Sequence, residues 1–258
     1  MTIMTGERRK VWLWPGRAAF LGPQLRWDRH STPVDCLAIG VDEAFTVHSA
    51  EGSWRRRSAL IPARVPHRIE AGAGRMLFHY LDPGWARAAD VRMTETLGTI
   101  AATHVAEQAM LAQVHDPGEL SRLALGDTAN DSIDPRIRRA MDALLGAPER
   151  EHDAASCATA AGLSKSRFLH LFAENAGTSF RRFRIWARLL GVGTAIESGA
   201  NLTTAATDSG FASASHFSDT FRRMFGLSAT TLLTNDTQII TMPEHRSREV
   251  RQDGGGEG

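Results

Sequence analysis

The chain has 258 residues, of which 42% are hydrophobic and 23% are charged, and its 30 Lys and Arg are matched by 29 Asp and Glu. These values are typical of a globular protein with one large domain or two ordinary ones. No apolar run reaches the roughly 18 residues that span a bilayer, residues 1–9 lack the apolar core of a signal peptide, and the two cysteines have no zinc-ligand spacing. The composition therefore argues against a membrane protein, a zinc finger and a disulfide scaffold, and we expect a cytoplasmic protein with no membrane partner.

Residues 11–82 consist of short apolar runs separated by turn residues. Two of the runs lie at 36–40 and 76–81, and glycines such as Gly16 and Gly52 punctuate the segment. Short runs of this kind are typical of β-strands that pack into an antiparallel sandwich or barrel. We therefore predict a β-rich domain at the start of the chain.

The pattern changes after residue 85, where the sequence becomes rich in alanine. Apolar residues now recur at intervals of three or four, at Leu97, Ile100, Ala101 and Val105. This spacing is typical of one helix face, so we predict a helical connector over residues 86–125 and a first domain that spans residues 1–126. The polar, turn-rich segment 126–132 is predicted to be an interdomain linker.

Residues 134–233 are predicted to be helical throughout, and they contain an internal repeat. Segment 160–177 matches segment 208–226 about 49 residues later. The aligned pairs are Phe168 with Phe217, Phe172 with Phe221, and Gly177 with Gly226.

Each copy of the repeat predicts a short helix, a glycine turn and a capped second helix. The first helices, at 154–161 and 203–209, stop at a glycine, the residue that best adopts the left-handed backbone of a helix C-terminus. Ser164 and Ser213 then stand where a side-chain oxygen caps the next helix, and two Phe residues four apart lie on its inner face. This is the helix-turn-helix plan, in which the second helix enters the major groove of double-stranded DNA.

The outer faces of the two second helices hold the candidate DNA-contact residues. They are Lys165, Ser166, Arg167, Leu169 and His170 in the first copy, and Ser213, Ala214, Ser215, Ser218, Asp219, Arg222 and Arg223 in the second. We expect the first helix to discriminate bases, because it has donors that suit guanine or phosphate, and the arginines of the second to grip the backbone. Net charge adds little, since residues 134–233 hold 12 Lys and Arg against 9 Asp and Glu.

This half of the chain resembles the DNA-binding domain of the AraC/XylS family of bacterial transcription regulators. The strings that carry the resemblance lie at 161–172 (AGLSKSRFLHLF), 177–180, 184–189 and 210–228 (GFASASHFSDTFRRMFGLS). The resemblance implies seven helices, with a long helix at 185–198 that joins the two units, and recognition helices in successive major grooves. It also implies a homodimer that forms partly through residues 86–125, and RNA polymerase as a partner. Ala229 departs from the family pattern, which usually has proline there.

The first domain resembles the cupin-like sensor of the same family, over roughly residues 10–85. Pro62 to His67 is similar to the second cupin motif, with Arg64 in place of the usual glycine, while the first motif is absent. The candidate nitrogen ligands are His30, His67 and His79, which do not make a convincing convergent set, so we expect neither a metal nor another cofactor. His30 and His67, with Trp27 as an apolar wall, are candidates for an effector pocket, and the alternative is that the two histidines hydrogen-bond within the barrel.

The predicted fold class is α+β, with a cupin-like β-barrel and helical connector (1–126), an all-α domain with two helix-turn-helix units (134–233) and a disordered tail (234–258). The predicted function is sequence-specific transcription regulation under the control of a small-molecule effector, without enzyme activity. Two alternatives stay open. One is a metal-dependent cupin enzyme fused to a DNA-binding domain, and the other is a DNA-binding protein whose sensor is reduced to dimerisation.

Overall fold

The computed structural model describes residues 8–126, 133–233 and 236–243. The N-terminal half (residues 8–126) begins with eight strands: β1 (Arg9–Trp14), β2 (Arg17–Pro23), β3 (Asp35–Gly40), β4 (Phe45–His48), β5 (Ser53–Arg56), β6 (Ser58–Ile61), β7 (Arg68–Glu70) and β8 (Arg75–Leu81). It continues with α1 (Pro83–Asp90), β9 (Met93–Leu97), β10 (Ile100–His104), α2 (Glu107–Ala112) and α3 (Pro117–Leu125).

The helical half (residues 133–233) contains seven helices, as the family resemblance implies. They are α4 (Pro135–Gly146), α5 (Ala154–Ala160), α6 (Lys165–Ala176), α7 (Phe180–Glu197), α8 (Leu202–Asp208), α9 (Ala214–Phe225) and α10 (Ala229–Leu232). The chain described here ends with β11 (Thr237–Thr241). No helix in these three described ranges has the length and apolar character needed to cross a membrane.

The strands form two sheets, and the larger one separates two hydrophobic cores. Its eight strands run in the order β11-β1-β2-β8-β3-β6-β10-β9, and β5-β4-β7 form the smaller sheet. Because side chains alternate along a strand, Phe20 and Phe78 face the helical half, whereas Leu21 and Leu77 face α1 and α3. The fold class is confirmed as a sheet-rich domain followed by a helical one, although the strand pairs of the described residues form two open sheets and no closed barrel.

The segment predicted as a helical connector, 86–125, is only partly helical. Residues 93–104 form the hairpin of β9 and β10, in which Leu97 pairs with Ile100 across a two-residue turn. Gly98 makes this turn possible with a φ of +64°. The helical prediction was wrong here because the apolar spacing of three or four arose by coincidence across a turn, and the Gly-Thr dipeptide between two β-branched runs was the better signal.

The predicted disorder of residues 234–258 was also wrong in part. Residues 237–241 form β11, which pairs in parallel with β1, so that Arg9 lies beside Thr237 and Leu13 beside Thr241. The sequence T-Q-I-I-T has the β-branched composition of a strand, but its hydrogen-bond partners are more than 200 residues away. Residues 244–258, and residues 127–132 of the predicted linker, lie outside the described residues.

The two halves share one hydrophobic core, which continues from the sheet into the helices. Trp186 of α7 is buried, and its indole nitrogen donates to the carbonyl oxygen of Gly16 at 3.0 Å. An ion pair between Arg138 and the buried carboxylate of Asp82, at 2.9 Å, joins α4 to the end of β8. These contacts determine how the helix-turn-helix units are placed relative to the sheet.

Arg64 occupies the turn position at which the cupin-like pattern usually has glycine, and its backbone explains that preference. Its φ is +69°, which lies in the left-handed region, where every residue except glycine is strained by its Cβ. The side chain is exposed, while the backbone N–H donates to the Thr32 carbonyl oxygen at 3.1 Å. The turn therefore keeps a glycine-like backbone without a glycine.

We predict that Arg64→Gly stabilises the protein. Removal of the left-handed strain contributes about 1–2 kcal/mol, and the greater freedom of glycine in the unfolded chain offsets roughly half of it. The expected net gain in the free energy of unfolding is about 0.5–1 kcal/mol, measured by urea denaturation. Arg64→Ala is the control and should give no gain, because alanine retains the strained Cβ. Equal effects of the two substitutions would show that φ does not matter at this position.

Candidate nucleic-acid interface and interdomain cavity

The second helix of the first repeat, α6, has the geometry that the sequence predicts. The Ser164 hydroxyl accepts from the backbone N–H of Arg167 at 3.3 Å, and the helix ends at Gly177, whose φ is +63°. Phe168 and Phe172 are fully buried. The residues predicted to contact DNA are all exposed: Lys165, Ser166, Arg167, Leu169 and His170. Leu169 is one of the few exposed large apolar side chains of the described chain, so this face is available to a partner.

The second helix of the second repeat, α9, has the same construction. Ser213 accepts from the N–H of His216 at 3.1 Å, and Gly226, with a φ of +71°, ends the helix. Most of its predicted contact residues are exposed as well: Ser213, Ser215, Asp219, Arg222 and Arg223. Ala214 and Ser218 are half-buried, and the Ser218 hydroxyl donates to the Ala214 carbonyl oxygen at 2.9 Å.

The two helices differ in their surroundings, since α9 faces the N-terminal half. Arg222 donates to the Asp28 carboxylate at 3.1 Å. A groove of about 750 Å³ lies at this junction and is lined by Asp28, Arg29, Arg181, His216, Asp219, Arg222 and Arg223. The groove is predominantly basic, because four arginines and a histidine outnumber two aspartates. Sequence reasoning did not identify Arg29 or Arg181, because no local pattern shows that these residues meet α9.

An apolar cavity of about 80 Å³ lies between the sheet and the helical half. The N-terminal half supplies Leu13, Ala18, Ala19, Phe20, Trp27, Phe78 and Tyr80, and the helical half supplies Trp186, Leu189, Leu190, Phe221, Phe225, Leu227 and Leu232. Of the three predicted effector residues, only Trp27 lines this cavity. It is adjacent in sequence to Asp28, just as Phe221 is adjacent to Arg222, so the walls of the cavity and of the basic groove belong to the same segments.

His30 and His67 are brought together, although neither lines the cavity. Their backbones form a two-way bridge, with N···O distances of 2.9 and 2.8 Å, and their ring centroids are 4.4 Å apart. Each Nδ1 lies 2.9 Å from a backbone carbonyl oxygen two residues earlier, so each Nδ1 carries the proton and donates. This geometry agrees with the alternative in which the two histidines hydrogen-bond within the domain.

His79 lies on the other face of its strand from Tyr80, as strand alternation predicts. Its ring packs against Trp14, whereas the Tyr80 ring contacts Trp186. Within the described ranges there is no cluster of three or more His, Cys, Asp or Glu that could hold a metal ion. The three histidines therefore do not form the ligand set that a cupin metal site needs.

Burial lowers the pKa of His67 to about 4, and the neighbouring His30 ring contributes to this shift. The imidazole is therefore neutral in the folded state at pH values where it is charged in the unfolded chain, in which its pKa is about 6.5. A depressed histidine pKa contributes stability that is present above about pH 6.5 and is lost as the pH falls towards 4.

We predict that His67→Gln makes the stability less sensitive to acid. Acidification from about pH 7.5 to about pH 5 should cost the wild type roughly 2 kcal/mol of unfolding free energy through this imidazole, and the variant should lose correspondingly less. Urea denaturation at several pH values gives the measurement. The wild type, denatured over the same pH series, provides the reference. A His67 variant with the wild-type profile would contradict the assignment.

Comparison with known proteins agrees with the helix-turn-helix geometry of the helical half. Residues 157–235 match a family model described as a helix-turn-helix domain, a range that contains α6 to α10 and most of α5. No curated protein matches the chain significantly.

Solved structures that resemble the whole chain include several of ToxT from Vibrio cholerae. One of them has a TM-score of 0.57 and 11% sequence identity over 84% of this chain and 96% of the other. A ToxT structure described as bound to an unsaturated fatty acid has a TM-score of 0.56 and 11% identity, over 83% and 94%. Another, bound to a methylnaphthalenyl butenoic acid, has a TM-score of 0.55 and 10% identity, over 84% and 97%. Residues 157–235 thus contain a helix-turn-helix domain, and most of the chain shares the fold of the ToxT structures.

Proposed function

We propose that this protein is an AraC-type transcription regulator that reads double-stranded DNA through α6 and α9, and that an apolar carboxylate bound between its two halves controls the binding. The observation that carries the DNA assignment is the repeated unit itself. Both second helices have a serine cap, a left-handed glycine end, two buried phenylalanines and an outer face with exposed arginine. We further propose that the protein acts in the cytoplasm as a homodimer and that RNA polymerase is its partner at promoters.

The outer faces of the two helices suit different tasks. On α6, Lys165 and Arg167 stand in the first turn, at the end of a recognition helix that contacts base edges. Arginine and lysine at this place can donate to O6 and N7 of guanine. On α9, Arg222 and Arg223 stand in the last turn, which suits contact with phosphate more than contact with bases. Base discrimination is therefore assigned mainly to α6.

The effector class follows from the chemistry of the cavity and the groove. The cavity is apolar, whereas the groove beside it is rich in arginine. An apolar group in the cavity and an anionic head near Arg29, Arg181 and Arg222 would satisfy both, and a carboxylate matches the planar guanidinium group. ToxT structures with a bound fatty acid and a bound butenoic acid support this choice of class. The cavity volume of about 80 Å³ favours a small or slender apolar group.

The DNA assignment predicts that Arg167→Ala weakens specific binding by about 1–3 kcal/mol and relaxes the sequence preference at one base pair. The probe is a duplex selected from a random library with the wild-type protein, and Kd is measured by fluorescence anisotropy at fixed salt. Arg150→Ala is the matched control, because Arg150 is an exposed arginine of the same half that lies outside both second helices. Unchanged affinity and preference for Arg167→Ala would refute its role in base reading.

The effector assignment predicts that decanoic acid raises Tm. The expected shift is about 5 °C when the free ligand exceeds its Kd roughly a hundredfold. The methyl ester of the acid should give a much smaller shift, because it lacks the charge that the arginines recognise. Ala18→Leu, which fills the cavity, and Arg29→Ala, which removes one cation, should both reduce the shift.

Arg150→Ala controls for the general loss of positive charge and should respond to the acid like the wild type. An equal shift with the ester would exclude the role of the arginines. If no carboxylate of the decanoic series shifts Tm, the hypothesis of a sensor reduced to dimerisation gains support. The DNA assignment does not depend on either outcome.

A further inference from the structure

β11 joins the end of the described chain to its beginning. It adds to the sheet as an edge strand parallel to β1, with Lys10 opposite Gln238 and Trp12 opposite Ile240. The ladder continues past the strand, since the N–H of Met242 donates to the Leu13 carbonyl oxygen at 2.7 Å. The segment that follows the last helix of the DNA-binding domain is therefore hydrogen-bonded to the first strand of the N-terminal half.

The side chains of β11 contact both halves of the protein. Ile239 packs against the core that the sheet shares with the helices, and Ile240 and Met242 pack against the core beneath α1 and α3. The Thr241 hydroxyl donates to the Glu197 carboxylate, at the end of α7, at 3.4 Å. Because β11 touches the N-terminal half and α7 at the same time, it resists their separation.

In this arrangement the N-terminal half covers one side of α9. The N–H of Asp28 donates to the Gly226 carbonyl oxygen at 2.8 Å, and a Cβ on Gly226 would come within 2.4 Å of the Asp28 carbonyl oxygen. Arg182, at the start of α7, donates to the carbonyl oxygens of Ser31 and Thr32 at 2.6 and 3.0 Å. The segment 28–32 is thus packed against the end of α9 and the start of α7.

This contact conflicts with the binding of DNA by α9. Arg222 donates to the Asp28 carboxylate, and this carboxylate would repel a phosphate backbone that approached the same arginine. The closed arrangement therefore leaves the outer face of α6 free and hinders that of α9.

We propose that β11 is a strap that holds the helical half closed against the sheet, and that its release from β1 frees α9 for DNA. A strap of this kind can open, because a five-residue edge strand is held by hydrogen bonds on one side only and contributes little stability by itself. The tests that measure DNA affinity rest on the proposed function, whereas the test that measures hydrogen exchange does not.

A reversible disulfide provides the first test. Lys10 and Gln238 are direct partners in the ladder, at a separation that suits a disulfide, so Lys10→Cys with Gln238→Cys in a Cys157→Ser background should lock the strap on oxidation. The oxidised protein should bind the selected duplex on the order of tenfold more weakly than the same protein after reduction, because the open fraction falls. Each single cysteine variant is a control for oxidation elsewhere. Equal affinity before and after reduction would overturn the proposal.

A matched pair of proline variants provides the second test. Since Met242 donates to β1, strand alternation places the N–H of Ile240 towards β1 and that of Ile239 away from it. Ile240→Pro should therefore release the strap and tighten DNA binding several-fold, whereas Ile239→Pro, which loses a similar side chain, should have the smaller effect. Equal effects of the two variants on affinity would contradict the proposal.

Hydrogen exchange separates the strap from the DNA assignment. The Asp28 amide is bonded to Gly226 across the interface, so it should exchange faster in Ile240→Pro and more slowly in the oxidised double-cysteine protein than in the wild type. If the wild type selects no DNA at all, the proposed function fails. The exchange rates of the Asp28 amide then test by themselves whether β11 holds the two halves together. Unchanged exchange at Asp28 in both proteins would show that β11 does not hold the halves together.

Discussion

The arrangement of this protein depends on the packing of α7 against the large sheet. Trp186 lies near the middle of α7, its ring contacts Tyr80 of β8, and its indole nitrogen is bonded to Gly16. Gly193, two turns later, approaches Leu13 so closely that a Cβ there would lie 2.8 Å from the leucine side chain. Because α7 joins the two helix-turn-helix units, its position on the sheet determines where both recognition helices stand. A change at this interface would therefore be transmitted to α6 and α9 together.

The two recognition helices are equivalent in construction and different in environment. Both have the same cap, the same left-handed end and the same paired phenylalanines, which are properties of the local sequence. Of these two helices, it is α9 that is in contact with segment 28–32 and that borders the arginine-rich groove. The expectation that the first helix discriminates bases began with its richer set of donors. The structure adds a second reason for asymmetry, since the outer face of α6 is free while that of α9 is partly covered.

The apolar cavity and the basic groove lie at the interface that makes the two helices differ. Trp27 and Phe221 line the cavity, and the next residue in each case, Asp28 and Arg222, lines the groove and takes part in the ion pair. The effector that we propose would contact both halves here and would stabilise one of their relative positions, which is how a small molecule shifts a population of conformations. In our proposal β11 acts on the same equilibrium from the edge of the sheet next to β1.

The sequence by itself determined those features that depend on residues close together in the chain. The glycine ends, the serine caps and the spacing of the phenylalanines placed α5, α6, α8 and α9 within one or two residues, because each depends on side chains a few positions apart. The hairpin at 93–104 was missed for the same reason, since four apolar residues can match a helical spacing when a turn lies between them. At position 64, where the cupin-like pattern usually has glycine, Arg64 has a left-handed backbone.

The tertiary structure decided everything that joins distant segments. Asp28 forms an ion pair with Arg222, His30 pairs with His67, and β11 pairs with β1 across more than 200 residues. No periodicity in the sequence predicts these contacts. Hydrophobic burial is non-directional, so the pattern of apolar residues shows which faces are covered but not by what. The repeated helix-turn-helix unit could therefore be read from the sequence, whereas the closed position in which it is held depends on contacts that form only when the two halves pack together.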